Sequence, residues 1–213
     1  MYKRFGKRLL DIVVSTIAIV VLAIPMLVVA IIIKMDSPGP VFFKQSRIGL
    51  HKKRFMMLKF RSMPTTAPQD VATHELDISK IHMTQFQRAI RKYSIDELPQ
   101  LYNVWCGQLS LIGPRPALYN QCDLEAERDK YGANDIKPGI TGWAQINGRD
   151  EISLEMKARL DGEYTVALNA GNFKGVMMDI KCFFGTFRKV CRAEGVLEGG
   201  AEEMEKQERA VEE

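Results

Sequence analysis

The chain of 213 residues has little of what metal centres and disulfide scaffolds need. It has four cysteines (Cys106, Cys122, Cys182, Cys191) and three histidines (His51, His74, His82). No two cysteines make a C-x-x-C pair, and none stands at ligand spacing from a histidine. A structural zinc site is not expected, and the thiols read as reduced, packed or idle. No glycine-rich loop ends in Gly-Lys-Ser/Thr, no dinucleotide fingerprint is present, and there are no internal repeats. Aromatics are only 8% of the chain, and no nucleic-acid motif sets them among the cations, so no nucleic-acid partner is expected. The first third is short of acidic residues, whereas the tail after Gly195 is rich in Glu. The net charge of +4 is therefore concentrated towards the front, where it suits an anionic partner such as a membrane surface or a phosphorylated substrate.

What is plentiful is apolar sequence near the start. From Ile12 to Ile33 the chain is interrupted only by Ser15, Thr16 and Pro25. That is long enough to cross a bilayer and too long, without a small-residue cleavage site, for a signal peptide. Both flanks are basic: Lys3, Arg4, Lys7 and Arg8 before, Lys34, Lys44, Arg47, Lys52, Lys53 and Arg54 after. Positive residues prefer the cytoplasmic side, so both ends favour the same side, and Pro25 lies where a helix would kink or break. A bent helix that enters one leaflet and returns satisfies both observations. A simple spanning helix is the alternative. Ser15 and Thr16 are too far from the bend to satisfy the carbonyls it frees.

The chemistry concentrates around Asp96 and Glu97, preceded by Arg91 and Lys92 and followed by Leu98, Leu101, Tyr102 and Trp105 at helical spacing. That spacing predicts one buried face. Ser94 and Glu97 fit a capping box, but Pro99 then falls past the first turn, so Asp96 is the better N-cap. Two adjacent acids beside two cations resemble a metal-and-phosphate site more than a cap, and the cations favour the ionised form of Asp96. Upstream, Val41-Phe42-Phe43 and Phe55-Met56-Met57-Leu58 read as strands or surface-seeking segments around a basic turn. Lys59 and Arg61 then fall on one side of an extended segment, either as a solvated face or as a diphosphate clamp. Residues 64 to 79 read as a loop and 81 to 92 as a helix.

Downstream, Gly113-Pro114-Arg115-Pro116 presents an arginine rigidly between prolines. Residues 118 to 131 are helical in character. The stretch Ile136 to Arg149, with Gly139, Gly142, Gly148, Gln145 and Trp143, suggests backbone pressed against a ligand. Two amphipathic helices follow, over 152 to 168 with Asp161 and Tyr164, and over 173 to 191 with Phe173, Met177, Ile180, Phe184 and Phe187 on one face. That face is core or, beside a membrane anchor, interfacial.

The apolar hairpin with Pro25, Lys59-Phe60-Arg61-Ser62-Met63, Asp96-Glu97-Leu98-Pro99-Gln100-Leu101, Gly113-Pro114-Arg115-Pro116 and Lys137 to Arg149, in that order, resemble the bacterial sugar transferases in their small monotopic phosphoglycosyl transferase form, over residues 1 to 192. The resemblance implies a mostly helical α+β fold. It divides that part of the chain into a re-entrant membrane helix (1–36) and a cytoplasmic catalytic domain with interfacial helices (37–192), and the remaining Glu-rich tail (193–213) has little to bury and reads from composition as disordered. It implies transfer of a sugar 1-phosphate from a UDP-sugar, N-acetylated by analogy, to polyprenyl (undecaprenyl) phosphate, with release of UMP. The site it implies lies on the cytoplasmic face of the bacterial inner membrane and needs Mg²⁺. By motif match Asp96 is the nucleophile and metal ligand, with Glu97 beside it, and Lys59, Arg91, Arg115, Gln145 and Arg149 handle the substrate. The resemblance starts membrane glycoconjugate assembly at this step and leaves the oligomeric state open, a homo-oligomer included. Ile24 stands where the family usually has Ser before Pro25. The competing readings are a membrane-associated UDP-sugar hydrolase, in which water resolves the same intermediate, and a basic adaptor on anionic lipid or nucleic acid, the latter without a recognisable motif.

Overall fold

The computed structural model describes residues 2–68, 71, 81–148 and 152–192. Most of the expected loop over 64 to 79, Arg149 and the acidic tail lie outside these residues. The chain is mostly helical with a few short strands. A π-helical turn, Tyr2–Gly6, leads into α1, Lys7–Asp36. Of its 30 residues only Lys7, Asp11, Ser15 and Ile33 are buried. The first three recur every fourth residue and so share one face. Lys7 Nζ lies 2.7 Å from Asp179 Oδ2, and Asp11 Oδ1 accepts from Ser110 Oγ (3.0 Å) and the Leu111 amide (2.9 Å). The rest of α1 offers apolar side chains to its surroundings, as a lipid-facing helix does and a soluble core helix does not. The helix assignment runs unbroken through Pro25, so the expected break is absent, and only the bend remains as an alternative to a straight rod. Ser15 and Thr16 both donate to the Ile12 carbonyl (3.2 and 2.7 Å) and so do not serve the carbonyl that Pro25 frees.

At its C-terminus α1 stops at an extended Ser37, and Arg61 closes the end. The Arg61 guanidinium donates to the carbonyls of Pro38 (2.5 Å), Ser37 (2.7 Å) and Ile33 (3.3 Å). Helix ends leave such carbonyls without intrahelical partners. Lys59 and Arg61 both line the cavity at Asp96, but they are not equivalent: Lys59 pairs with Glu97, whereas the terminal nitrogens of Arg61 are taken by the end of α1.

β1 (Phe42–Ile48) and β2 (Arg54–Phe60) make an antiparallel hairpin in which Phe42 faces Phe60 and Ile48 faces Arg54. Its basic turn carries positive φ at His51 and Lys52. α2 (Gln85–Lys92) starts later than the pattern suggests, because Thr84 and Gln87 form a capping box there. Ser94 then takes a left-handed conformation (φ 54°), a 3₁₀ turn runs over Ile95–Glu97, and α3 is Gln100–Trp105 with Pro99 before it. Neither Ser94 nor Asp96 is the N-cap of α3. The left-handed residue resets the chain, so both acids fall in the 3₁₀ turn. The buried face of α3 is Leu101 and Val104 with Gln100 and Asn103, while Tyr102 and Trp105 are half exposed and stacked 6.3 Å apart.

β3 (Ser110–Ile112) and β4 (Gly139–Thr141) pair in parallel. Here the glycines serve close backbone approach, but to other backbone. A Cβ on Gly139 would lie 2.1 Å from the Gly113 nitrogen, and one on Gly142 2.1 Å from the Gly113 oxygen. The ligand expected against Gly139 and Gly142 is the neighbouring strand itself. α4 (Cys122–Asp129), α5 (Trp143–Ile146), α6 (Leu154–Asn169) and α7 (Asn172–Arg192) complete the fold. One core cluster gathers Ile112, Ile136, Tyr164, Leu168 and Cys182. Phe173, Met177, Ile180, Phe184 and Phe187 lie on the exposed side of α7, so this face is not core.

Candidate active site

Three segments converge on the acidic pair: the end of β2, the 3₁₀ turn before α3, and the Pro114–Pro116 turn after β3. Asn103 of α3 ties the first two together. Its side chain accepts from the Leu58 amide (2.9 Å) and donates to the Met56 carbonyl (2.9 Å), completing the open edge of β2 as a further strand would. Glu97 Oε1 then receives Lys59 Nζ at 3.0 Å and Arg115 Nη2 at 2.9 Å. Asp96, 6% exposed, accepts from Ser62 Oγ at 3.2 Å and faces a cavity of about 120 Å³ that Lys59, Arg91 and Arg47 also line.

The arginine turn is held from behind. Arg128 donates to the Arg115 carbonyl (2.9 Å) and makes two buried bonds to Asp161 Oδ2 (2.9 and 2.6 Å). Arg47 donates to the Pro116 carbonyl (3.0 Å) and, with its other donors, to Gln45 Oε1. Two arginines thus fasten successive carbonyls, which fixes where Arg115 can point.

Four cations surround two acids, an excess of positive charge that suits a phosphate. Burial decides how these groups titrate. It pushes the Asp96 carboxyl above the usual carboxylate range, outweighing the opposing pull of Lys59 and Arg91, while Glu97 adds to the rise. The neighbouring cations do favour the ionised form of Asp96, as expected, but burial acts against them and sets the direction of the shift. Desolvation is the largest effect at this site. It also lowers Lys59 and brings Arg47 down to about 9, still cationic at neutral pH, with Arg115 adding to the lowering of both.

Among the described residues no three His, Cys, Asp or Glu side chains converge as a metal cage. Mg²⁺ asks for less, since it takes one or two carboxylates and completes its shell with phosphate oxygens and water. Glu97 Oε1 is already held by two cations, so Asp96 with Ser62 beside it is the donor set that fits.

Of the residues singled out in the sequence, Lys59, Arg91, Asp96, Glu97 and Arg115 come together here. Gln145 does not join them. It sits in α5, buried, with neither amide atom hydrogen-bonded, its Oε1 close against Gly142. Arg149 lies outside the described residues. Sequence reasoning missed Arg47, Ser62, Asn103 and Arg128. Arg47 was detectable in principle, because Phe43, Gln45 and Arg47 alternate onto one face of β1, and the register places Lys59 on that face opposite Phe43. The Arg128–Asp161 pair joins two helices 33 residues apart and has no local signal.

The site is thus a buried carboxylate in a cation-lined pocket whose charge suits phosphate, on a fold with one long, exposed, apolar helix. The family described as bacterial sugar transferase matches residues 2–193, and the chain belongs to that family; it is a transferase. The sugar transferase EpsL of Bacillus subtilis (strain 168), named as uncharacterized, is 42% identical over 190 residues, 89% of each chain. The undecaprenyl-phosphate glucose phosphotransferase of Komagataeibacter xylinus is 39% identical over 86% of this chain and 35% of its own length. The UDP-N-acetylgalactosamine-undecaprenyl-phosphate N-acetylgalactosaminephosphotransferase of Aeromonas hydrophila is 36% identical over 87% and 44%. The chain thus spans most of EpsL and less than half of the two larger relatives.

Proposed function

We propose that this chain transfers a sugar 1-phosphate from a UDP-sugar to undecaprenyl phosphate, releasing UMP, at the cytoplasmic face of the bacterial inner membrane, and so starts assembly of a membrane glycoconjugate. The observation that carries the reading is the unequal use of the two acids: Glu97 holds Lys59 and Arg115, while Asp96 lines the cavity. In the first step an Asp96 oxygen attacks the sugar-bearing phosphorus, the bond to the bridging oxygen breaks, and UMP leaves. In the second step an oxygen of the lipid phosphate attacks the same phosphorus and the bond to Asp96 breaks. Neither step needs a proton. Lysine carries three donors and arginine five, so holding Glu97 does not exhaust Lys59 or Arg115, which together with Arg91 and Arg47 stabilise charge on the transferring phosphoryl group. Mg²⁺ beside Asp96 would supply Lewis-acid polarisation of the diphosphate.

The re-entrant topology belongs to the same proposal. Arg8 donates to the carbonyls of Val104 and Trp105 at the end of α3, while Ile33 packs in a cluster with Ile95 and Leu98 just before α3. Along a straight helix Arg8 and Ile33 would be about 38 Å apart, whereas Leu98 and Trp105 are about 10 Å apart at the same helical rise. A bend in α1 brings both ends to one short helix more readily than a straight rod. For the donor we propose an N-acetylated sugar, as in the name of the Aeromonas hydrophila relative.

The test is to incubate the detergent- or nanodisc-borne protein with labelled UDP-sugars and no lipid, quench, and map the adduct. A phosphosugar on Asp96 that disappears on adding undecaprenyl phosphate is expected. Absence of any adduct, with UMP formed only when both substrates are present, would overturn the two-step scheme. A panel including UDP-glucose and N-acetylated donors decides the sugar.

A further inference from the structure

The lining of the cavity at Asp96 divides by chemistry: a charged and polar set with Asp96, Arg91, Lys59, Arg47, Arg61 and Ser62 (the floor), and an apolar set with Pro40, Phe42, Phe60, Met63, Pro64 and Val71 (the wall). A UDP-sugar is polar except for the faces of its rings, and it does not by itself call for a wall of this kind. The wall is also continuous with the foot of the membrane helix. Phe60 packs with Ile33 of α1 and Ile90 in one cluster and stacks on Phe42 at 5.5 Å, and both rings line the cavity. Phe42 remains 49% exposed, so its ring has surface left to cover.

Resting on the two-step reading above, we propose that this apolar wall binds the first isoprene units of the lipid acceptor and steers its phosphate onto the cationic floor. The stereochemistry of in-line displacement supports the placement. Asp96 attacks the phosphorus opposite the departing UMP, and in the second step Asp96 is itself the leaving group. The incoming lipid oxygen must then approach opposite Asp96, from the side UMP has vacated. One cationic subsite serves the UMP phosphate and then the acceptor phosphate, and what selects the acceptor is the apolar surface beside that subsite. The chain enters from the lipid side along α1 and Phe60, and the negatively charged head meets Arg91 and Lys59.

Phe42→Gln tests this, because the ring is half exposed and its loss does not open the core. The readouts are adduct formation with UDP-sugar alone, adduct decay on adding polyprenyl phosphate, and the KM for each substrate. The variant is expected to slow adduct decay and raise the KM for polyprenyl phosphate by about tenfold, with adduct formation and the KM for UDP-sugar within about twofold of wild type. Phe42→Leu, which keeps an apolar contact, should restore most of the loss. Acceptors of increasing length, from geranyl to farnesyl phosphate, should gain affinity on the wild type and gain less on Phe42→Gln. Equal slowing of both half-reactions would assign the wall to the donor, and unchanged kinetics in both would remove it from binding; either overturns the proposal. If the wild type forms no adduct, the two-step reading fails, and the acceptor KM and its length dependence still decide whether the wall holds the prenyl chain.

Discussion

Asp96 and Glu97 are neighbours with the same functional group, and the difference between them is environment. Glu97 is held by Lys59 and Arg115, which fixes both cations, whereas Asp96 is buried at the cavity with a carboxyl pushed upward by desolvation. A raised carboxyl means the folded protein holds a proton that the unfolded chain has already lost. Stability therefore falls as pH rises from the usual aspartate range through the folded value. Asp96→Asn resembles the neutral form, so the variant should melt above wild type at pH 7 to 8. The gap should close as pH falls to the range where both states of Asp96 are protonated, while transfer is abolished at every pH. Thermal melts of the two proteins across pH check this, and a lower melting temperature for Asp96→Asn at pH 8 would count against the charge being costly. In the wild type, turnover should rise with pH across the same window, because the proposed first step uses the ionised form as nucleophile. The cations divide similarly. Arg115→Ala and Arg91→Ala should each raise the barrier by about 2–4 kcal/mol, the scale for losing a donor to transition-state charge. Lys52→Ala should leave turnover nearly unchanged, because Lys52 pairs with Asp129 on the exposed side of the hairpin turn. Equal loss in kcat/KM at all three would mean the cations act only as a diffuse field.

At the scale of elements, the sequence is readable where the signal is local. The hairpin strands, the helices over residues 118 to 131, 152 to 168 and 173 to 191, and the apolar α1 follow from periodicity and composition, and each is present within a few residues. What periodicity cannot give is a connection made across the chain. Arg61 was indistinguishable from Lys59 until the end of β2 and the carbonyl end of α1 were both in place. Tyr102 and Trp105 fit a buried stripe by spacing, yet the 3₁₀ turn and Pro99 rotate α3 so that Leu101 and Val104 take the inside. Gly139 and Gly142 announced close contact without saying with what. At the site, the motifs located the acids and the arginine turn, but not the braces that hold them. One brace can be measured. Asp161→Ala leaves the buried Arg128 guanidinium without its carboxylate, and breaking one partner of such a pair typically costs about 3–5 kcal/mol. Denaturation in detergent should show a loss of that order, with kcat falling further because the Arg115 carbonyl loses its anchor. Stability within about 1 kcal/mol of wild type would show that the pair contributes no net stability.

At the scale of the molecule, exposed apolar surface identifies what the fold expects around it. The middle of α1, the stacked Tyr102 and Trp105 of α3, and Phe173, Phe183, Phe184 and Phe187 of α7 are all exposed. Water would not favour such an arrangement, whereas an interface with aromatic side chains at headgroup level would. The two ends of α1 are meanwhile bound to one body. Asp179 accepts from Tyr2, Lys7 and Tyr164, and Arg61 with Ser37 closes the other end. A helix that crossed the bilayer would carry Lys7 to the far side, stripping Asp179 of its cation while Tyr164 stayed behind. Losing one partner of a buried pair again costs about 3–5 kcal/mol, before the burial of Asp11 against Ser110 and Leu111 is counted. Both ends of α1 are therefore expected on the same side of the membrane. Cysteines placed at Lys3 and at Lys44, in a variant without the native thiols, should both resist an impermeant maleimide in intact cells and react once the membrane is opened. Replacing the native thiols is necessary because Cys106 and Cys122 are exposed. Pro25→Ala restores the hydrogen bond that proline denies the Val21 carbonyl and so favours a straight helix. In that variant a fraction of the position-3 thiols should become reactive from outside while position 44 stays protected. Outside reactivity at position 3 in the wild-type background would establish a spanning helix, and the contacts of Lys7 with Asp179 could not then exist in the membrane.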